Sequence, residues 1–371
     1  MIKNIEVFGN NKKVGTLALT KYNRVAFQYS DEWFASGFSI SPFKLPLSKQ
    51  VFYASSPYFR GLFGVFGDSL PDSYGELLLD RYLKSKNINI NELNCLDRLA
   101  YVGSSGMGLL EYVPDLSEES NIDKYDFDVI QKDCNALLNS QEVSNIYDLY
   151  SLGGSSGGSR PKSLIKYESE DYIVKFSSKY DPKNIAELEY KYMSLAREAG
   201  INIPEIKLVT SKRGNKYFLI KRFDRSSNKR IHMISASALL EIDYKAPSLD
   251  YNELIKLTNI LTRNKGDVLE MFRRMVFNIL IDNQDDHSKN FSFIYDETNN
   301  LYRLSPAYDI TPGRSYYGEH TTSVNGKGKN TTDEDMLSVA TKNNIDLNEA
   351  KAIIKKCTLV LKNAKMNCKE I

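Results

Sequence analysis

Residues Met275–Pro312 read MVFNILIDNQDDHSKNFSFIYDETNNLYRLSPAYDITP. An apolar run ends in a polar cluster, Asp285-Asp286-His287-Ser288-Lys289-Asn290. Phe291-Ser292-Phe293-Ile294 follows as a strand-like run, Asn299-Asn300 supplies a turn, and Leu301 to Leu304 runs back to Ala307-Tyr308-Asp309. The hairpin places two carboxylates and an amide at the ends of the elements it joins. Asp285 and Asn290 are five residues apart on one loop, and Asp309 lies 19 further on. Phosphoryl transfer needs these groups. One carboxylate orients or deprotonates the attacking hydroxyl, while an amide oxygen and a second carboxylate hold Mg²⁺, an ion that takes oxygen ligands in a near-octahedral shell. Protein kinases keep an Asp…Asn loop and a later Asp in the same order, although the letters HRD and DFG are absent here. The bland alternative is a solvated polar turn with Asp285 decorating a helix end. The return of the chain to a second Asp weighs against it.

At 371 residues there is room for two or three domains and a large core. Hydrophobic content of 42% with 26% charged residues fits a soluble globular chain. A net charge of +2 supplies no global basic field, so the chain is not expected to bind nucleic acid alone or to sit on an acidic membrane. Cys95, Cys134, Cys357 and Cys368 form no CxxC pair and read as reduced thiols of a cytoplasmic protein. Three histidines argue against a multi-His metal site. The first residues carry charges inside any would-be apolar segment and give no signal peptide, and no run approaches the ~18 apolar residues of a membrane span.

In chain order, Ile5 to Phe8, Lys13 to Leu17 and Val25 to Tyr29 read as an antiparallel sheet. A helix with Leu77, Leu78, Tyr82 and Leu83 on one face follows a cap at Asp72 or Ser73. Gly103 to Gly108 reads as a turn, since no Lys-Ser/Thr on a helix follows it. The acidic stretch from Asp115 marks a boundary, which divides the chain into 1–115, 116–225 and 226–371.

Gly153 to Ser159 is all Gly and Ser, and Arg160-Pro161-Lys162 leads from it into a strand. The bland reading is a flexible linker. The functional one is a loop whose bare N–H groups approach phosphate oxygens, like the glycine-rich hairpin over ATP in a kinase, with serines open to phosphorylation. Lys175 sits in the strand-like run Tyr172 to Phe176, where kinases keep the lysine that pairs with the phosphates; a solvated strand lysine is the alternative. A helix to Ala199 carries Glu187 and Glu189, either of which can pair with Lys175. Two more strands end at Lys221-Arg222-Phe223-Asp224-Arg225, where a crossing chain offers backbone groups to adenine. Helices follow at Tyr251 to Thr262 and Asp267 to Ile281, then a polar, Gly-rich and mobile segment from Gly313 to Thr332, and a closing amphipathic helix with a solvated basic face.

With these residues laid out, the chain resembles the HipA family of bacterial toxin kinases over nearly its whole length. Asp285-Asp286-His287-Ser288-Lys289-Asn290-Phe291-Ser292 is similar to the family's D-x-H-x-K-N-F-S. Leu304 to Ile310 resembles its L-x-P-x-Y-D-I, Gly157 to Lys162 its G-G-A-R-P-K loop, and Arg222 to Arg225 its R-F-D-R. The resemblance implies an α+β, bilobal kinase-like fold of the lipid-kinase type, with a small β-rich N-terminal domain and a largely helical C-lobe. It places the catalytic carboxylate on Asp285 with Lys289 beside the phosphates, and the metal ligands on Asn290 and Asp309. Nucleotide contacts fall on Lys175, Lys221, Phe223, Asp224, His287, Tyr308, Gly157 and Gly158. The regulatory, autophosphorylated serine falls on Ser155, with Ser156 adjacent. More hydroxyls than usual stand in the loop, and Lys221 stands where an acid can occur.

The reading is an ATP- and Mg²⁺-dependent serine/threonine kinase toxin, acting on a translation factor such as an aminoacyl-tRNA synthetase and neutralised by a HipB-like DNA-binding antitoxin. The alternatives are a small-molecule or lipid kinase on the same fold, and a catalytically silent corepressor that binds the antitoxin.

Overall fold

The computed structural model describes residues 1–371 except 23, 119–125, 144, 155–157, 159, 228, 316 and 366–371. The chain forms two compact units: 1–187 with 205–234 and 238–241, and 188–204 with 235–237 and 242–371.

The first unit opens with a five-stranded antiparallel sheet in the order Phe52–Tyr53, Val25–Tyr29, Lys12–Leu19, Asn4–Gly9, Glu111–Val113. Ile5 and Val7 are buried while Asn4 and Glu6 face out, the period-2 alternation of a one-sided sheet. Gly15 sits opposite Val7 and Tyr29, and a Cβ there would come within 2.3 Å of the Gln28 carbonyl, so the strands close only around glycine. A second antiparallel sheet has the order Lys162–Tyr167, Glu170–Lys175, Lys216–Lys221, Ile206–Thr210. One core joins the two regions: Tyr74, Leu78 and Leu83 of the helix Ser73–Ser85 are buried with Leu149 and Leu152 of Ile146–Gly153 and with Ile165, Tyr172 and Val174 of the second sheet. The core therefore runs across residue 115.

The second unit is mainly helical. Tyr251–Thr262 starts on a capping box, with Asp250 accepting from its first turn and Glu253 reaching back. Lys265–Leu280 starts on Asn264, whose side chain accepts from the Asp267 N–H at 3.1 Å. Its Met271, Phe272, Met275, Val276 and Phe277 are buried. Asp333–Lys342 and Leu347–Asn363 complete the helical part. The strands Ser292–Asp296 and Leu301–Leu304 pair antiparallel about the turn expected at Asn299-Asn300. The segment after Gly313, read from sequence as mobile, is tied into this unit instead. Leu249 and Asp250 pair in parallel with Thr322 and Ser323, and Asp250 accepts from the Ser323 hydroxyl and the Gly326 N–H. Polarity there reflects internal hydrogen bonding rather than solvation.

Candidate active site

The helix Lys265–Leu280 ends at Ile281, and Asp282 turns the chain with a left-handed φ of 54°. The Asn283 N–H closes back on the Asn278 carbonyl at 2.9 Å. The two adjacent aspartates then take opposite environments. Asp286 is fully buried and accepts from the Tyr251 hydroxyl at 2.8 Å and the Thr322 N–H at 3.0 Å. The Asp285 side chain is 65% exposed, with His287 Nε2 at 3.9 Å. Burial singles out Asp286 as the anchor of the loop and leaves Asp285 facing outward.

Ser288–Asn290 is a single 3₁₀ turn. Asn290 donates its Nδ2 to the Asp285 carbonyl at 2.7 Å, which fixes the orientation of the amide and leaves Oδ1 to face away as an acceptor. The hairpin then returns the chain to Asp309, a non-glycine residue held at φ 54°. That conformation is uncommon for a side-chain-bearing residue and is kept only where the surroundings over-determine it. Here the Asn283 Nδ2 donates to the Asp309 carbonyl at 3.4 Å, and the Tyr308 hydroxyl donates to the Lys289 carbonyl at 2.8 Å. Buried Arg274 holds the approach to the hairpin's end by donating to the Ser305 carbonyl at 2.6 Å, itself paired with Glu270. Asn290, Tyr308 and Asp309 line one small pocket together with Arg274, Asn278 and Asn283. Above the loop, Lys289 Nζ stands 4.5 Å from the centroid of Tyr244, whose ring meets His287 edge-on at 5.5 Å. Nδ1 of His287 is buried and has no hydrogen-bond partner among the described residues.

Asn290 and Asp309, which both carry side-chain oxygens, thus line the same cavity. They suit a hard cation such as Mg²⁺, which is commonly held by one or two protein oxygens plus waters and phosphates.

In the first unit, Lys175 ends its strand opposite Lys162 and Phe218, with Nζ 5.8 Å from the Phe218 ring centroid. Glu187 pairs with Lys216 at 3.1 Å rather than with Lys175, and Glu189 is buried. Gly158 adopts φ 88°, and its N–H donates to Asp72 Oδ2 at 2.9 Å. Ser155, Ser156 and Gly157 lie outside the described residues. The Lys221 ammonium meets Glu170 at 2.9 Å, and Phe223 is half-buried. Asp224 is fully buried: Arg222 binds it through Nε at 2.9 Å and Nη2 at 2.7 Å, and Arg225 Nη1 and the Gly108 N–H each reach it at 2.7 Å. Burial alone would raise its pKa, but the two guanidiniums outweigh burial and hold it well below the usual carboxylate range. The geometry gives Asp224 a structural task, which is to organise the arginines that catch the carbonyls of Gly106 and Gly108.

Among known proteins, the HipA-like C-terminal domain matches residues 154–364 and the HipA N-terminal domain residues 5–113. The chain belongs to the HipA family. Relatives include "Putative kinase Y4dM" of Sinorhizobium fredii, 32% identical over 42% of this chain and 40% of its own, and a "Putative kinase" of Haemophilus influenzae, 30% identical over 47% and 57%. The chain spans about half the length of these relatives. A solved structure of HipA from Shewanella oneidensis MR-1, in complex with HipB and operator DNA, matches 97% of this chain and 89% of its own, with a TM-score of 0.74 at 19% identity. The mixed α/β fold, β-rich at its N-terminus and helical towards its C-terminus, is thus the HipA fold.

Sequence reading missed several residues that shape this HipA-family site. Arg274 interrupts an apolar helical stripe, and a lone arginine in such a stripe is a usable signal. Tyr251, His320 and Thr322 carried none, because their shared partner Asp286 lies 34 to 36 residues away.

Proposed function

We propose that this HipA-family chain is an ATP- and Mg²⁺-dependent serine/threonine protein kinase, the toxin partner of a HipB-like antitoxin. The observation that carries the reading is the division between the two aspartates. Asp286 is buried as an anchor, while Asp285 stands exposed on a loop whose Asn290 lines one cavity with Asp309. Asp285 accepts the proton of the attacking hydroxyl or orients it, and Asn290 and Asp309 hold the ion. Among the described residues no three His, Cys, Asp or Glu side chains gather as an ion site, so the rest of the shell comes from water and phosphate. The ion, when bound, neutralises charge on the phosphates. His287, whose Nε2 stands 3.9 Å from Asp285 Oδ1, and Lys289 of the same loop are assigned to the phosphates.

Substrates in this reading are a translation factor, an aminoacyl-tRNA synthetase above all, and the chain's own Ser155 or Ser156. The kinase names of the relatives support phosphoryl transfer as the reaction. The test is transfer of labelled γ-phosphate from ATP to acid-precipitable protein by the parent and by Asp285→Asn. Label in protein from the parent alone supports the reading. Turnover only on small hydroxyl compounds, or none, rejects it.

A further inference from the structure

We propose that His320 is a positioning residue which, through the buried carboxylate of Asp286, holds the loop bearing Asp285 in its reactive shape. The inference rests on the kinase reading of Asp285.

The segment 320–322 grips that loop on both sides of Asp285. Thr321 donates its N–H and its hydroxyl to the Gln284 carbonyl, at 3.1 and 2.9 Å. Thr322 donates its N–H to Asp286 Oδ1 at 3.0 Å and its hydroxyl to the Asp286 carbonyl. His320 Nδ1 lies 3.1 Å from Asp286 Oδ2. The residues before and after Asp285 are therefore fixed, and Asp285 alone between them is exposed.

His320 is the decisive member because of charge. Asp286 is fully buried, and an ionised carboxylate there is costly on neutral donors alone. Tyr251 and Thr322 are neutral; among the described residues His320 is the partner of Asp286 that can carry a positive charge. Its far nitrogen, Nε2, stands 3.9 Å from Asp282 Oδ1, and its backbone N–H is held by the Gly328 carbonyl at 2.8 Å. The imidazole thus spans acids at both ends of the turn 282–286. From Asp286 the network runs on through the Tyr251 hydroxyl to Asn278 at 3.0 Å, from Asn278 to Asn283 at 3.1 Å, and from Asn283 to the Asp309 carbonyl. One ring therefore supports the backbone under both Asp285 and Asp309.

The titratable groups facing the ring are Asp286 and Asp282, with Tyr251 across the Asp286 carboxylate. Burial alone would lower the His320 pKa, but the hydrogen bond and charge of Asp286, with Asp282 behind it, raise it above the ordinary value. A raised pKa means the grip is complete below the ordinary histidine range and loosens as pH rises through the raised value.

The test compares the parent, His320→Gln and His320→Ala in two readouts: kcat and KM for ATP across pH, and amide hydrogen exchange of residues 284–290. Gln can keep a donor towards Asp286 without charge, and Ala keeps neither. The expected result is a kcat lower by about 10–100-fold in Ala, a smaller loss in Gln, little change in KM, and a flattened alkaline limb of the pH profile. Exchange at 284–290 rises in both variants. If Ala fails to fold, Gln and Thr322→Val carry the comparison. Exchange in 284–290 that stays at the parent's level overturns the inference whatever the activity, as do parental kcat values across pH. A parent that transfers no phosphate, while its variants still loosen 284–290, sinks the kinase reading and leaves the clamp standing.

Discussion

Asn290 donates its side-chain amide to the backbone carbonyl of Asp285 at 2.7 Å. That bond ties the backbone that carries the exposed carboxylate to the metal-ligand candidate five residues later. It also ties the amide nitrogen to the loop, and Asn290 lines the same cavity as Asp309.

Replacing Asn290 by Asp therefore does harm even though a carboxylate is the stronger Mg²⁺ ligand. The new side chain has no N–H for the Asp285 carbonyl and repels that oxygen. The expected result is a transfer rate about 10²-fold lower at saturating Mg²⁺, the scale of an ångström-sized misplacement. Asn290→Ala instead weakens apparent Mg²⁺ affinity by more than about tenfold. A magnesium titration of both variants separates the two effects.

Asp224 holds two arginines, so its loss is expected to cost stability. Asp224→Asn leaves Arg222 and Arg225 buried without their counter-charge, at a cost of about 3–5 kcal/mol. Since the folded carboxylate titrates below its unfolded value, the advantage of the parent is full above the ordinary carboxylate range and is lost as pH falls through and below it. Urea melts of parent and variant converge as pH drops from about 5 towards 2. A constant gap over that range contradicts this account.

Asp72 occupies the N-cap position of Ser73–Ser85, yet its carboxylate makes no cap bond to that helix and accepts from Gly158 instead. Asp72→Ala frees the end of the Gly/Ser loop, so KM for ATP rises several-fold while kcat changes less. Gly158→Ala strains a residue at φ 88° and lowers stability by about 1–2 kcal/mol. Steady-state kinetics at varied ATP, with thermal melts, check both. An unchanged KM in Asp72→Ala contradicts a role for this contact.

What the sequence made legible was local. The hairpin about Asn299-Asn300, the helix that delivers residues 282–290 and the distinct places of Asp285, Asn290 and Asp309 all follow from spacings within 40 residues. Asp285 and Asp286 were separable only by resemblance, because adjacent aspartates look alike until burial divides them. Contacts across long separations left no trace. The bond from the Gly108 N–H to Asp224 spans 116 residues, and the pairing of Asp72 with Gly158 spans 86. The segment 313–332 looked mobile because its polar groups bond to Gln284, Asp286 and Asp250 rather than to near neighbours. Lys216 claims Glu187 from a strand that spacing alone did not bring to that helix.

The most direct test of the central claim is intact-mass and peptide mass spectrometry after incubation with ATP and Mg²⁺, on the parent and on Asp285→Asn. Phosphate is expected on Ser155 or Ser156 in the parent and none in the variant, with ATP binding retained by both. Equal phosphorylation of the two proteins, or phosphate in neither despite bound nucleotide and an added synthetase, would contradict the assignment of Asp285 as the catalytic carboxylate.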